Sequence, residues 1–139
     1  MNIINSKINF STSGNGQIVD ITEQVKNELK KSKLLNGIVS IFTPGATCAV
    51  TTMEYEPGLV KDSQDFFNQL VFDKNSFNHD SGNPKGNAPA HLRAFIFGPS
   101  ITVPFENAGL QLGTWQQIVF IDFDNRPRNR EVILKFFGN

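Results

Sequence analysis

The chain has one cysteine, two histidines and one tryptophan in 139 residues, and its charges cancel, 13 Lys and Arg against 13 Asp and Glu. Each scarcity removes a class of function. With Cys48 alone there is no intramolecular disulfide and no cysteine-based zinc cluster. Flanked by Thr47, Ala49 and Val50, Cys48 reads as a buried structural thiol rather than a nucleophile. Balanced charge supplies no global pull toward nucleic acid or an anionic membrane, so any anion site has to be local. No run approaches the roughly 18 apolar residues of a membrane helix, and the first residues lack the charged-then-apolar order of a leader, so a cytoplasmic location is expected. Two histidines also preclude a three-histidine metal site within one chain.

What is present is one domain, residues 1–139, long enough to bury roughly two thirds of its unfolded surface. Lys7 to Ser11 reads as a strand ending at the turn Ser13-Gly14-Asn15-Gly16. A helix is expected next, capped by Asp20 with Glu23 three residues on, and carrying Ile21, Val25 and Leu29 at helical spacing above a solvated lysine run. Residues 37–43 and 47–53 read as two strands about the turn Pro44-Gly45. Gly58 to Val71 places six apolar side chains on one face of a second helix. From Asp73 to Ala90 the chain is irregular, the kind of long loop that carries function or stays disordered. His91 to Phe97, Ser100 to Phe105, Gln117 to Asp124 and Glu131 to Phe137 read as strands. Several are apolar on both faces, so both faces need cover, from helices on one side and from a second sheet or a neighbouring subunit on the other.

The residues that can carry chemistry gather late in the chain. His79 and His91 flank a loop in which Gly82 and Gly86 permit unusual backbone and Asn87 can donate and accept. With Glu54 or Asp62 the two histidines form the best available set for a divalent cation, zinc or magnesium. Both acids also have plain structural readings, at a strand end and in a first helical turn. Trp115 sits between Gly113 and the amides Gln116 and Gln117, either as core or as a polar-lined ligand wall. Asp122 and Asp124 alternate on one strand, and Arg126, Arg128 and Arg130 follow closely enough for ion pairing, although a guanidinium is also the group that grips phosphate with two donors at once.

Taken in order, His79-Asp80-Ser81-Gly82-Asn83, Asn87-Ala88-Pro89-Ala90-His91-Leu92, Gly113-Thr114-Trp115-Gln116 and Pro127-Arg128 resemble the YjbQ family, and Glu54-Tyr55-Glu56-Pro57-Gly58 fits its acidic segment. The resemblance implies a mainly antiparallel, β-sandwich-like α+β fold, here with two helices, assembled as a homotrimer with sites where subunits meet. It implies secondary thiamine-phosphate synthase activity, joining a thiazole phosphate to an aminopyrimidine diphosphate with release of diphosphate. In that reading Glu54, His91 and Asn87 are the catalytic set. Trp115, Gln116 and Arg128 bind a small phosphorylated substrate, and His79, His91 and Glu54 hold the metal. One position departs: where family members commonly carry histidine in a His-Thr-Thr triplet, this chain reads Gly45-Ala46-Thr47. That substitution removes a ligand and favours the alternative of a non-catalytic trimer binding a small phosphorylated metabolite or a metal.

Overall fold

The computed structural model describes residues 1–71, 77–83 and 85–139. Two antiparallel sheets organise them. The larger is built on β1 (Asn2–Thr12), β8 (Arg128–Gly138), β3 (Gly37–Phe42), β5 (Ser100–Glu106) and β6 (Gly109–Leu110), in that order. The smaller places β7 (Gln117–Asp122) between β2 (Gln17–Asp20) and β4 (Cys48–Met53). Three α-helices complete the fold: α1 (Thr22–Ser32), α2 (Pro57–Leu70) and α3 (Ala88–Phe97). No helix among the described residues is long and apolar enough to cross a membrane.

The period-two alternation of strand side chains sorts the core into two layers. Ile118 and Phe120 of β7 point into a first core with Val39, Ile41, Leu134 and Phe136 of the large sheet and Val25 and Leu29 of α1. Val119 and Ile121, on the opposite face of β7, join Ala49, Phe67, Ala90 and Ala94 in a second core beneath α2 and α3. The small sheet is therefore covered on both faces, as its apolar runs require. Among the described residues nothing covers the outer face of the large sheet, and Ile38 and Phe42 are exposed there.

Local chemistry accounts for the boundaries. Between β1 and β2 the backbone of Gly14, Asn15 and Gly16 has positive φ, and a Cβ at Gly14 would collide with the carbonyl oxygens of Asp124 and Arg126. Asp20 accepts from the backbone N–H and hydroxyl of Thr22 at 2.9 and 2.6 Å, starting α1. Glu56 accepts from the N–H groups of Gly58 and Leu59, both at 2.8 Å, and Pro57 enters the first turn of α2. The segment Glu54 to Gly58 thus owes much of its composition to helix initiation. Those N–H groups hold the Glu56 carboxyl below its ordinary range.

Four expectations change. Residues 91–97 are helix, not strand, so there are three α-helices rather than two, and His91 lies within α3 rather than at a strand entrance. Pro89 in the first turn and the small pair Ala90 and Ala94 on one face let α3 lie flat on the small sheet. Leu92, Phe95 and Ile96, which alternate like a two-faced strand in sequence, are exposed. Residues 37–43 and 47–53 do not form a hairpin, because β3 and β4 belong to different sheets. The turn between them is held by Thr43 N–H on the Pro99 carbonyl and by Phe123 N–H on the Thr47 carbonyl, both at 2.9 Å. On α2 only Phe67 is buried, while Leu59, Phe66 and Leu70 are exposed. In the long interval expected to be irregular, Asn78–Asp80 forms a 3₁₀ turn, and residues 72–76 and Pro84 lie outside the described set.

Ala94→Leu tests the packing of α3. Overfilling a close helix-on-sheet contact is expected to cost about 1–3 kcal/mol, read from the urea midpoint at unchanged slope. A neutral or stabilising effect would lift α3 off the sheet.

Candidate functional site

The densest polar constellation is at one end of β7. Asp122 and Asp124 are 0 % and 1 % exposed. Arg130 donates from Nε and Nη2 to the two oxygens of Asp122 at 2.7 and 2.8 Å. Thr12 Oγ1 and the Asp124 N–H add further donors to the same carboxylate. Asp124 in turn accepts from Arg128 Nε at 2.7 Å, Thr47 Oγ1 at 3.2 Å and Asn87 Nδ2 at 3.3 Å. Burial pushes both carboxyls up, but the guanidinium, hydroxyl and N–H donors outweigh it and hold both below the ordinary carboxylate range. Paired with Asp122, the Arg130 guanidinium is held above its usual value. The sequence reading anticipated local pairing of these charges and favoured Arg128 for phosphate. The structure shows Arg128 to be one third exposed and already engaged with Asp124.

Helix α3 brings two more predicted residues to this end. Asn87 precedes the helix and His91 follows it by four, so both lie on one helical face. The His91 ring meets that of His79 edge to face, with centroids 4.7 Å apart. Asp80, next to His79, accepts the Ala88 N–H at 3.1 Å from each carboxylate oxygen and ties the 3₁₀ turn to the start of α3. Asn87 therefore touches Asp124, and His91 stands one helical turn further along α3 with the His79 ring against it.

Glu54, Trp115 and Gln116 are not. They lie at the opposite end of β7, where Met53 pairs with Gln117. Five residue steps separate Gln117 from Asp122, or about 17 Å along the strand. Gln116 is engaged at both ends of its amide, donating to Thr52 Oγ1 and accepting from the Gly113 N–H, each at 3.0 Å. The turn so braced displays Trp115 at 72 % exposure, which excludes the core reading for its indole within one chain. Among the described residues no three His, Cys, Asp or Glu side chains assemble as a metal site. The histidine pair offers two imidazoles, and Glu54 of the same chain does not join them.

Gly45 lies against the polar end. A Cβ there would sit 2.7 Å from Cys48 Sγ and 3.2 Å from Arg130 Nη1, so any larger residue must displace the thiol or the guanidinium. Cys48 is 1 % exposed, and burial pushes its thiol up, in keeping with a structural role. Sequence reasoning missed Thr12, Thr47 and the two-pronged grip of Arg130. Their partners are 77 to 110 residues away or in another sheet, and no local spacing reveals them.

Because Asp122 and Asp124 have depressed folded values, their stabilising contribution is present above the unfolded value of about 3.9 and is lost as pH falls through the folded value. Asp122→Asn leaves Arg130 with only the more distant Asp124, at 3.9 Å, in a nearly closed site and is expected to cost about 3–5 kcal/mol at neutral pH. It should also flatten the acid limb of thermal melts between roughly pH 5 and 2. An unchanged acid limb would show that other carboxylates carry it.

The comparisons with known proteins agree along nearly the whole chain. The family model described as UPF0047 protein YjbQ-like matches residues 6–139. A UPF0047 protein of Archaeoglobus fulgidus is 39 % identical over 129 residues, covering 93 % of this chain and 98 % of that one. YugU of Bacillus subtilis, also a UPF0047 protein, is 31 % identical over 133 residues, 94 % and 97 % of the two chains. A crystal structure of a YbjQ-like protein of unknown function from Sulfolobus solfataricus superposes with a TM-score of 0.88 at 28 % identity, covering 99 % of this chain and 100 % of the other. A hypothetical protein from Aeropyrum pernix gives 0.85 at 32 % identity over 96 % and 99 %. With the family model matching residues 6–139 and a relative 39 % identical over 93 % of its length, the chain belongs to the YjbQ/UPF0047 family.

Proposed function

We propose that the chain acts in the cytosol as a homotrimer whose small-molecule sites form between subunits, and that its activity is a low-level condensation of a thiazole phosphate with an aminopyrimidine diphosphate. The observation that carries this reading is the division of the predicted site residues between the two ends of β7. Glu54 and the exposed Trp115 occupy one end, and Asn87, His91 and Arg128 the other. A second copy that sets its Trp115 end against the His91 end of the first assembles the full set. Apolar side chains are left open on two opposite faces, Ile38 and Phe42 on the large sheet and Phe66 and Phe95 on α2 and α3, which gives the neighbours in such an assembly surface to cover.

In the assembled site the thiazole nitrogen attacks the pyrimidine methylene, the methylene C–O bond breaks, and diphosphate leaves with the electron pair. The barrier is set by charge developing on the leaving group, so stabilisation by a fixed donor matters most. Arg128, held by Asp124 and one third exposed, is the guanidinium available for it. His91 and Asn87 on one face of α3, with Glu54 from the neighbour, orient the aminopyrimidine, and Trp115 walls the ring. A divalent metal, zinc or magnesium, would draw its ligands from His79, His91 and the neighbour's Glu54 and would add positive charge beside the phosphate.

A non-catalytic reading has specific support. Gly45 supplies no ligand, and Asp122 and Asp124 already neutralise both arginines of the polar end. Such a protein would bind a small phosphorylated metabolite in the same interfacial cleft without turnover. Diphosphate release separates the two.

Light scattering at micromolar concentration should report about three times the 15.5 kDa chain mass, and a stable monomer would sink the shared-site reading. Trp115→Ala should alter chain stability by no more than about 0.5 kcal/mol while abolishing activity or ligand binding, as should His91→Asn. Reassembling the two inactive variants together should restore about a quarter of the sites, because each mixed interface can draw its intact halves from different subunits. No recovery on mixing would place both halves of the site in one chain.

A further inference from the structure

A cleft of about 670 Å³ lies between α2, residues 77–83 and 85–87, and α3, within the size range of small-molecule sites, and the condensation reading draws only Asn87 from its wall. Its wall is rich in carboxamides with an unusual bonding pattern. Gln64 Nε2 donates to the Gly16 carbonyl at 3.3 Å. Asn87 Nδ2 donates to Asp124 at 3.3 Å, and Asn125 Nδ2 to the carbonyls of Lys85 and Gly86 at 3.0 and 3.3 Å. Each of these three amides is pinned through nitrogen, and its oxygen meets no protein donor among the described residues. Asn83 is pinned the other way, accepting from the Lys85 N–H at 3.0 Å and keeping its own donors. The amide of Asn68, also on the wall, makes no protein hydrogen bond among the described residues.

Charge and shape narrow the ligand. Among the described residues two charged side chains line the cleft and both are answered, Asp80 by the Ala88 N–H and Arg93 by donating to the carbonyls of Phe67 and Val71, each at 2.9 Å. Among those residues a phosphate or an ammonium would find no unanswered partner. Phe67 and Phe123 form part of the floor, but they are 4 % and 3 % exposed and meet each other edge to face with centroids 5.0 Å apart. Neither of these two offers an open ring face on which a flat heterocycle can stack, and Phe77 is the third ring on the lining. A hydroxyl both donates and accepts without charge, which matches pinned acceptors interleaved with free donors.

We propose that this cleft binds a small neutral polyhydroxylated molecule, a sugar or polyol of monosaccharide size. The proposal shares Asn87 alone with the interfacial site and needs neither Trp115 nor Glu54. Ribose is the probe, followed through the side-chain NH₂ resonances of the asparagines and glutamines in the intact protein. Saturable shifts at Gln64, Asn87 and Asn125 are expected, with inorganic phosphate and adenine leaving them unmoved. Asn68→Leu loses no protein hydrogen bond, so it should keep the parent's melting temperature while weakening ribose at least fivefold. Gln64→Met is the second variant and should weaken it similarly, whereas Trp115→Ala should leave it unchanged. Absence of a saturable shift at roughly 100 mM ribose, far above the millimolar dissociation constants of weak sites, would overturn the proposal. So would adenine or phosphate binding in place of ribose, or ribose binding indifferent to both cleft variants.

Discussion

The buried grip of Arg130 on Asp122 is the constraint on which the architecture turns, because it joins the two sheets where no backbone ladder can. Asp122 ends the central strand of the small sheet, while Arg130 and Thr12 lie on the paired outer strands of the large one. Removing such a carboxylate from water costs several kcal/mol unless its lone pairs are answered. Here they are answered by a two-pronged guanidinium, a hydroxyl and a backbone N–H. The same cluster fixes the positions of Asp124, Arg128 and Asn87, so the geometry of the polar end is inherited from the sheet-to-sheet junction.

The small sheet gains its rigidity from being enclosed twice. β7 sends alternate side chains into two separate cores, and a slip of one residue would exchange the contents of both. That strictness is why the two ends of β7 can serve as fixed mounting points for distant groups. It also explains why α3 carries alanines toward the sheet, since larger side chains would hold Asn87 away from Asp124.

Much of this was legible in the sequence, in proportion to how local the determining physics is. A helix starting just after Asp20, with Val25 and Leu29 facing inward, and strands at 100–105, 117–124 and 131–137 follow from spacing and turn chemistry within a few residues, although the cap position falls on Ile21 and the second of these strands ends at Asp122. The helix at 88–97 did not, because Leu92, Ala94 and Ile96 alternate against Phe95 and Phe97 just as a strand would. What makes the segment helical is a pair of alanines fitted to a sheet distant in sequence. The grouping of His79, His91 and Asn87 was legible as a loop motif. The placement of Glu54 and Trp115 at the far end of β7 was not, since it depends on which way β4 runs beside its partner. Cys48 was read correctly as a buried thiol from its apolar neighbours alone.

The pairing of β1 with β8 has a kinetic consequence. The first strand is joined along its whole length to the last, from Asn2 opposite Gly138 to Thr12 opposite Arg128, and β3 also pairs with β8. Because β8 lies between β1 and β3, the first strand cannot join the large sheet until the final dozen residues are available. Closing so long a loop is entropically slow, and topologies dominated by distant pairings fold in milliseconds to seconds rather than microseconds. On the ribosome β3 can pair with β5 once both have emerged, but β1 and the β8-facing edge of β3 must wait for the last residues, which makes shielding of that edge during synthesis as much a condition of this fold as any contact in its finished core.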